Sequence, residues 1–134
     1  MYIKYSTGFL VASIVQAATI MLSEKFHISS LGANITPTQL LIHILSGQLA
    51  GYLLLYIMRN MKAISKNNLW TIGITYGAIV WVILLSINST IGKVNAPWKQ
   101  GFPTVISSLA AFLFFGLISA YTIKEVDVKN LERE

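Results

Sequence analysis

Long runs of uncharged, mostly apolar residues alternate with short charged segments along this chain. All of the charged residues, ten Lys or Arg and five Asp or Glu, lie outside four uncharged stretches, 5–23, 26–58, 67–92 and 100–123. A helix that crosses the ~30 Å hydrocarbon core of a bilayer needs about 20 mostly apolar residues. Each stretch can supply one such helix. The pattern therefore predicts an all-α integral membrane protein, built as a four-transmembrane-helix bundle.

Residues that start or stop helices set the predicted ends of the spans. Pro37 suits the first turn of a helix and Thr36 or Thr38 can cap it, so the second span starts there. The predicted spans are about residues 6–23, 38–58, 69–88 and 102–123. They form one membrane domain over 1–134, without room for a soluble catalytic domain. The short basic turn at 59–66 predicts that spans two and three pair as an antiparallel hairpin.

The distribution of positive charge predicts the orientation. Cytoplasmic segments of membrane proteins carry an excess of Lys and Arg. With the N-terminus inside, seven basic residues lie on the cytoplasmic side and three on the other. The seven are Lys4, Arg59, Lys62, Lys66, Lys124, Lys129 and Arg133, and the three are Lys25, Lys93 and Lys99. We therefore expect both termini in the cytoplasm, in a multi-pass protein of the cell membrane, and specifically of a bacterial plasma membrane.

Composition narrows the classes of function. The chain is 54% hydrophobic and 11% charged, against about 25% charged for a soluble domain. Its net charge of +5 is scattered rather than gathered in one patch, so we expect no nucleic-acid partner. The absence of cysteine excludes disulfides and thiolate chemistry. No GxSxG, HExxH or phosphate-binding loop occurs, so we expect no enzyme, cofactor or metal site.

Small residues within the spans predict where helices pack closely. Helices in lipid associate through small residues that let their backbones approach. Span two has Gly47 and Gly51 at GxxxG spacing, span three has Gly73 and Gly77, and span four has Gly116. One interpretation places these glycines inside a compact bundle. The alternative is that one pair forms the face of a homodimer.

Polar side chains concentrate in the predicted outer half, under two long loops. Glu24 ends span one, Gln39 and His43 lie in the outer third of span two, and Asn88 closes span three. Ionisable and polar residues inside a span are functional candidates, so these four define a predicted outer polar vestibule. The structural alternative is that His43 hydrogen-bonds Asn88, Glu24 or a loop carbonyl. Two further glutamines, Gln16 and Gln48, lie deeper in spans one and two.

A set of motifs from span two to span four resembles a known family. They are a Leu- and Tyr-rich helix end, a basic turn, a Trp-x-x-Gly-Ile-x-Tyr-Gly sequence, a further Trp, an Asn and Gly before the outer loop, and a final Gly and Tyr-Thr-Ile. In this chain they are 53–56, 62–66, 70–77, Trp81, Asn88, Gly92, Gly116 and 121–123, and Gly8-Phe9 of span one also fits. Together they resemble the YqhR family of small membrane proteins from spore-forming Gram-positive bacteria. The resemblance implies a four-span protein of undefined biochemistry.

Three functional hypotheses follow from these features. The first is a non-enzymatic membrane protein, acting as an accessory or scaffolding subunit or as a lipid-contacting interaction subunit. Its expected partners are membrane lipids, with a homo-oligomer or a larger membrane complex left open. The second is a small transporter or channel subunit that uses the outer polar vestibule. The third and weakest is a membrane enzyme acting on a lipid or envelope precursor.

Overall fold

The computed structural model describes residues 2–30, 32, 36–61, 68–92 and 94–133, and their regular structure is entirely helical. In chain order the helices are α1 (Tyr2–Lys25), α2 (Pro37–Asn60), α3 (Leu69–Thr90), the one-turn α4 (Pro97–Gln100) and α5 (Phe102–Arg133). Four of them, α1, α2, α3 and α5, are long and apolar enough to cross a membrane. The basic turn with Lys62 and Lys66, and Lys93 of the second long loop, lie outside the described residues.

Local signals explain where the helices begin. Pro37 occupies the first turn of α2, and the Thr36 hydroxyl accepts the Gln39 backbone N–H at 3.2 Å. Asn68 caps α3 in the same way, because its side-chain oxygen accepts the Trp70 N–H at 3.1 Å. Such caps satisfy backbone donors that have no partner within the helix. Helix α4 lies in the second long loop and was not predicted.

The last helix is longer than the predicted span. Helix α5 continues from Phe102 to Arg133, about 48 Å at 1.5 Å per residue, whereas the hydrocarbon core is only ~30 Å thick. Its final turns extend beyond Ile123, the end of the fourth uncharged stretch, and carry a Lys129–Glu125 ion pair at 2.6 Å. Charged residues end a membrane span without ending a helix, since backbone hydrogen bonding continues in water.

Helix α5 is the centre of the packing. It lies closely against α1 and α3, while α2 packs mainly on α1. The α1–α5 contact buries Tyr5, Phe9 and Ala12 against residues of α5 such as Phe115 and Ile123. Over the described residues, α2 and α3 do not form a closely packed pair. The hairpin predicted from the short turn is therefore wrong as a packing unit, because consecutive helices need not be the ones whose faces fit.

The glycine pairs lie inside these contacts within the chain. A Cβ atom on Gly116 would lie 2.2 Å from the Gly73 carbonyl oxygen, so α3 and α5 approach almost backbone to backbone. A Cβ on Gly77 would lie 2.5 Å from the Phe112 carbonyl oxygen of α5. Gly47 and Gly51 of α2 instead face Ser13 and Phe9 of α1. These glycine faces are occupied by the chain's own helices, so a second copy could not use them.

Candidate functional site

A cavity of about 410 Å³ lies between α1, α2, α3 and α5, in the half of the bundle nearest the two long loops. We call it the α2–α3 cavity. Its polar lining consists of Gln16, Thr36, Gln39, His43, Ser46 and Asn88. Its apolar lining includes Ile20, Ile42, Val80, Leu84, Phe112 and Phe115. The volume falls within the ~300–1,000 Å³ typical of ligand pockets, which combine an apolar wall with a few polar groups in the same way.

The cavity exists because α2 and α3 diverge from each other. Along α2 its lining runs from Thr36 to Ala50, about 21 Å at 1.5 Å per residue. Gln39, Ile42 and Ser46 of this lining are exposed, so the cavity opens sideways between the two helices. It ends where the Tyr76 hydroxyl of α3 donates to the Ala50 carbonyl oxygen of α2 at 2.6 Å. Tyr76 is buried and bridges the gap.

His43 reaches the cavity while its ring is held by α1. Its Nε2 atom lies 3.0 Å from the Ser13 carbonyl oxygen. A carbonyl oxygen only accepts hydrogen bonds, so Nε2 carries the proton, and Nδ1 of the neutral ring is an acceptor. This partner differs from those that the sequence suggested, which were Asn88, Glu24 and a loop carbonyl. The reason is that α2 packs on α1, which brings the His43 ring next to the Ser13 backbone.

Asn88 and Gln39 add amide groups from opposite sides of the cavity. The Asn88 side-chain Nδ2 donates to the Leu84 carbonyl oxygen of its own helix at 2.8 Å. This leaves its Oδ1 atom and one N–H for another partner. Gln39 is exposed at the rim, and its side chain bonds to no residue that the structure describes. Three predicted vestibule residues, Gln39, His43 and Asn88, are thus brought together.

Glu24 does not belong to this group. It lies at the end of α1, where its carboxylate accepts the Ser29 hydroxyl at 3.3 Å, and it does not line the cavity. Glu24 lies eight residues beyond Gln16, about 12 Å further along α1, and the last residue of α1 in the lining is Ile20. Glu24 therefore lies beyond the cavity, towards the first long loop. The structure brings together three of the four predicted vestibule residues and adds Gln16.

Gln16 lines the cavity, although the sequence pattern indicated only that it lies deep in span one. It is only 5% exposed, and its amide bonds to no residue that the structure describes. Gln48, the other deep glutamine, turns away from the cavity and donates to the Ser6 carbonyl oxygen at 2.9 Å. In the sequence, both glutamines are uncharged polar residues in the middle of an apolar stretch. That pattern does not distinguish a glutamine that lines a cavity from one that hydrogen-bonds to a neighbouring helix.

The described part of the chain does not support a metal site. Within it, no three His, Asp or Glu side chains are grouped so that they could hold a metal ion. The rest of the polar network is structural. The Trp81 indole N–H donates to the buried Ser108 hydroxyl at 2.9 Å, and Ser108 donates to the Thr104 carbonyl oxygen at 2.7 Å. The Thr104 hydroxyl oxygen accepts a hydrogen bond from the Ser30 backbone N–H at 3.0 Å. This bond fixes the first long loop to α5.

Comparison with protein-family models, with curated proteins and with solved structures finds no match for this chain. The resemblance to the YqhR family therefore stays a prediction.

Proposed function

We propose that this protein is a non-enzymatic, multi-pass membrane protein that binds an amphiphilic lipid in the α2–α3 cavity. The observation that carries the proposal is the shape and lining of that cavity. Polar groups of Gln39, His43 and Asn88 lie towards the loops, while apolar walls such as Phe112 and Phe115 lie beside them. An amphiphile needs this combination, because its head group requires hydrogen bonds and its chain requires apolar surface.

The sideways opening supports a ligand that comes from the bilayer. Over the described residues, α2 and α3 are not closely packed, and the exposed rim residues Gln39, Ile42 and Ser46 lie on the open side. A lipid can enter between the helices without leaving the membrane. Any chain that exceeds the cavity can remain among neighbouring lipids. We expect lipid binding rather than an accessory subunit docked through the glycine faces, since those faces contact the chain's own helices.

The proposed orientation places this cavity in the outer half of a bacterial plasma membrane. With both termini in the cytoplasm, seven of the ten basic residues lie on the cytoplasmic side. The ends of α2 and α5 that carry Arg59 and Lys124 are then cytoplasmic, and the loops over the cavity face outward. The YqhR-like resemblance fits a four-span protein of this size and adds no substrate.

The transporter hypothesis would use the same cavity but finds less support. Below the Tyr76–Ala50 hydrogen bond, the interior is filled by buried apolar residues such as Leu54, Ile72 and Ile123. The polar groups described farther along, such as Gln48, Ser6 and Tyr52, hydrogen-bond one another across the α1–α2 contact and do not line the cavity. The described residues thus favour a binding site with one entrance over a path across the membrane.

A cavity-filling substitution tests the proposal. Ser46→Phe adds a bulky ring at the lining, whereas Leu49→Phe adds the same ring at a position that is 75% exposed and outside the lining. The full-length protein is purified in mild detergent, and retained lipid is quantified by native mass spectrometry. We expect Ser46→Phe to reduce retention about 5- to 150-fold, since overpacking costs about 1–3 kcal/mol.

The control variant separates an effect on the cavity from an effect on folding. Leu49→Phe should retain lipid like the wild-type protein, at an unchanged melting temperature. Equal retention by wild type and Ser46→Phe would contradict the proposal. So would a solute flux through liposomes containing the wild-type protein that Ser46→Phe abolishes, because that result would assign the cavity to transport.

A further inference from the structure

Gln16 is an unpartnered amide in the wall of the α2–α3 cavity. It is nine-tenths or more buried, at 5% exposure, and the described residues offer its side chain no hydrogen bond. Its amide atoms are not among the fully enclosed side-chain atoms without a partner, which over the described residues are Ser13 Oγ and Ser119 Oγ, so the amide is accessible from the cavity that Gln16 lines. Gln48 shows the ordinary arrangement for a glutamine in the same bundle, since its Nε2 donates to the Ser6 carbonyl oxygen at 2.9 Å. Gln16 therefore has a donor and an acceptor available for a bound molecule.

The lining groups are uncharged hydrogen-bonding groups. Gln16, Gln39 and Asn88 offer amides, Thr36 and Ser46 offer hydroxyls, and among the lining residues described none is Lys, Arg, Asp or Glu. A phosphate or carboxylate that leaves water requires a strong offset to its desolvation, best supplied by a cation, and the described lining has no cationic side chain. An uncharged head group needs no such offset. The lining thus favours a hydroxyl-bearing head group over an ionised one.

The His43 side chain also suits a head group that carries hydroxyls. Because Nε2 donates to the Ser13 carbonyl oxygen, the neutral ring presents Nδ1 as an acceptor. A hydroxyl can donate to this nitrogen and accept from the Gln16 or Asn88 amide at the same time. An ionised phosphate can only accept, and it would be repelled by the Nδ1 lone pair. A glycerol-type head group, with adjacent hydroxyls, fits these alternating donors and acceptors.

The volume limits how much of the lipid lies inside. A cavity of about 410 Å³ holds a small head group and the adjoining part of a chain. The rest of the lipid lies outside, on the open side between α2 and α3. Phe112 and Phe115, on the α5 wall, provide the apolar surface for the part of the chain next to the head group.

We propose that the α2–α3 cavity binds an uncharged, hydroxyl-bearing lipid of the acylglycerol class, with a head-group hydroxyl hydrogen-bonded to the Gln16 amide. This inference rests on the proposed lipid-binding function and names its ligand class. The Gln16 side chain acts as the deep polar contact, and His43 and Asn88 complete the head-group site nearer the loops.

The experiment compares two lipids with the same acyl chain, one with an uncharged glycerol head group and one with an anionic phosphoglycerol head group. Monooleoylglycerol and oleoyl lysophosphatidylglycerol are titrated into the full-length protein in nanodiscs, and dissociation constants are measured by native mass spectrometry. Two matched variants are compared with wild type. Gln16→Leu removes the unpartnered amide, and Gln48→Leu removes the amide that is bonded to α1. The melting temperature of each unliganded variant is measured as well.

We expect monooleoylglycerol to bind wild-type protein more tightly than the charged lipid. Gln16→Leu should weaken its binding about tenfold, equivalent to about 1.4 kcal/mol, with a melting temperature that is unchanged or higher. Gln48→Leu should show the reverse, a lower melting temperature with unchanged affinity. Gln16→Met serves as a second variant of similar volume and should match Gln16→Leu.

Three results would overturn the inference. If the charged lipid binds as tightly as monooleoylglycerol, or if Gln16→Leu and Gln16→Met bind like wild type, the ligand class is wrong while lipid binding stands. If Gln16→Leu lowers the melting temperature as Gln48→Leu does, then the Gln16 amide has a structural partner. If neither lipid binds wild-type protein, the inference fails together with the proposed function.

Discussion

Single glycines decide how closely α3 and α5 approach each other. A Cβ atom at Gly116 would lie 2.2 Å from the Gly73 carbonyl oxygen and 2.9 Å from the Gly77 nitrogen. Both of these atoms belong to the backbone of α3, which cannot rotate away as a side chain can. Close backbone contact replaces the hydrophobic effect as a source of helix association where the solvent is lipid.

Gly116→Ala should therefore destabilise the bundle, although alanine is the better helix former by about 1 kcal/mol. We expect a net loss of about 1–3 kcal/mol in the free energy of unfolding, the usual range for overpacking. The measurement is reversible unfolding of the purified protein in mixed micelles of increasing SDS content.

Gly8→Ala is the matched control for this substitution. The Cβ atom added there would lie 2.2 Å from both γ atoms of the Thr122 side chain and 2.7 Å from its Cβ. A new rotamer can move the γ atoms, and a small shift of the helix must relieve the Cβ contact, whereas at Gly116 the clash is with backbone atoms at 2.2 and 2.9 Å. The destabilisation by Gly8→Ala should be smaller than that by Gly116→Ala. Equal stability of Gly116→Ala and wild type would mean that the α3–α5 contact is not set by this glycine.

At the scale of elements, α2 packs on α1 and is also joined to its neighbours by hydrogen bonds at a few points. At the end of the bundle away from the cavity, Asp127 of α5 accepts a hydrogen bond from the Tyr5 hydroxyl of α1, and it lies 3.5 Å from the Arg59 guanidinium of α2. The Arg59 guanidinium also lies 5.4 Å from the centre of the Tyr5 ring. This cluster joins three helices through the charged extension of α5.

Asp127→Ala should loosen the end of α2 at little cost in global stability. The Arg59 and Asp127 side chains are 39% and 37% exposed, so solvent screening limits the ion pair to about 0–1 kcal/mol. We expect faster amide hydrogen exchange at residues 56–60 of α2, measured by mass spectrometry. Local opening can rise in this way while the global free energy of unfolding changes little.

Glu125→Ala provides the comparison for Asp127→Ala. Glu125 pairs with Lys129 within α5 and joins no second helix. Its replacement should leave the exchange of residues 56–60 at the wild-type rate. If both variants accelerate exchange there equally, the effect arises from the α5 extension as a whole rather than from the contact of Asp127 with α2.

At the scale of the whole molecule, the proposed orientation has a direct test. The chain has no cysteine, so single cysteines introduced at exposed positions report on their side of the membrane. Gln100→Cys lies in α4 beside the cavity, and Asn60→Cys lies at the opposite end of α2. In intact cells, a membrane-impermeant maleimide should label Gln100→Cys readily and Asn60→Cys only after permeabilisation. The reverse pattern would place the cavity on the cytoplasmic side.

The candidate site was predicted in part. Sorting polar residues by depth found Gln39, His43 and Asn88, because an amide or imidazole in an apolar stretch is conspicuous in the sequence alone. It also included Glu24, which lies about 12 Å beyond Gln16 along α1 and outside the cavity. Tyr76, whose hydroxyl ends the cavity, was counted only as part of a motif, since nothing in a single helix shows which carbonyl a tyrosine will reach.

The sequence by itself determined that four long apolar helices form, since burial of charge in lipid is costly and every charged residue lies outside four windows. It also determined that polarity concentrates near the loops. Only the tertiary structure decided that α5 is central, that α2 and α3 diverge, and that a cavity with Gln16 in its wall lies between them. The physical reason is that helix pairing depends on how closely the two surfaces fit, as at Gly116 and Gly73, and hydropathy carries no information about that fit.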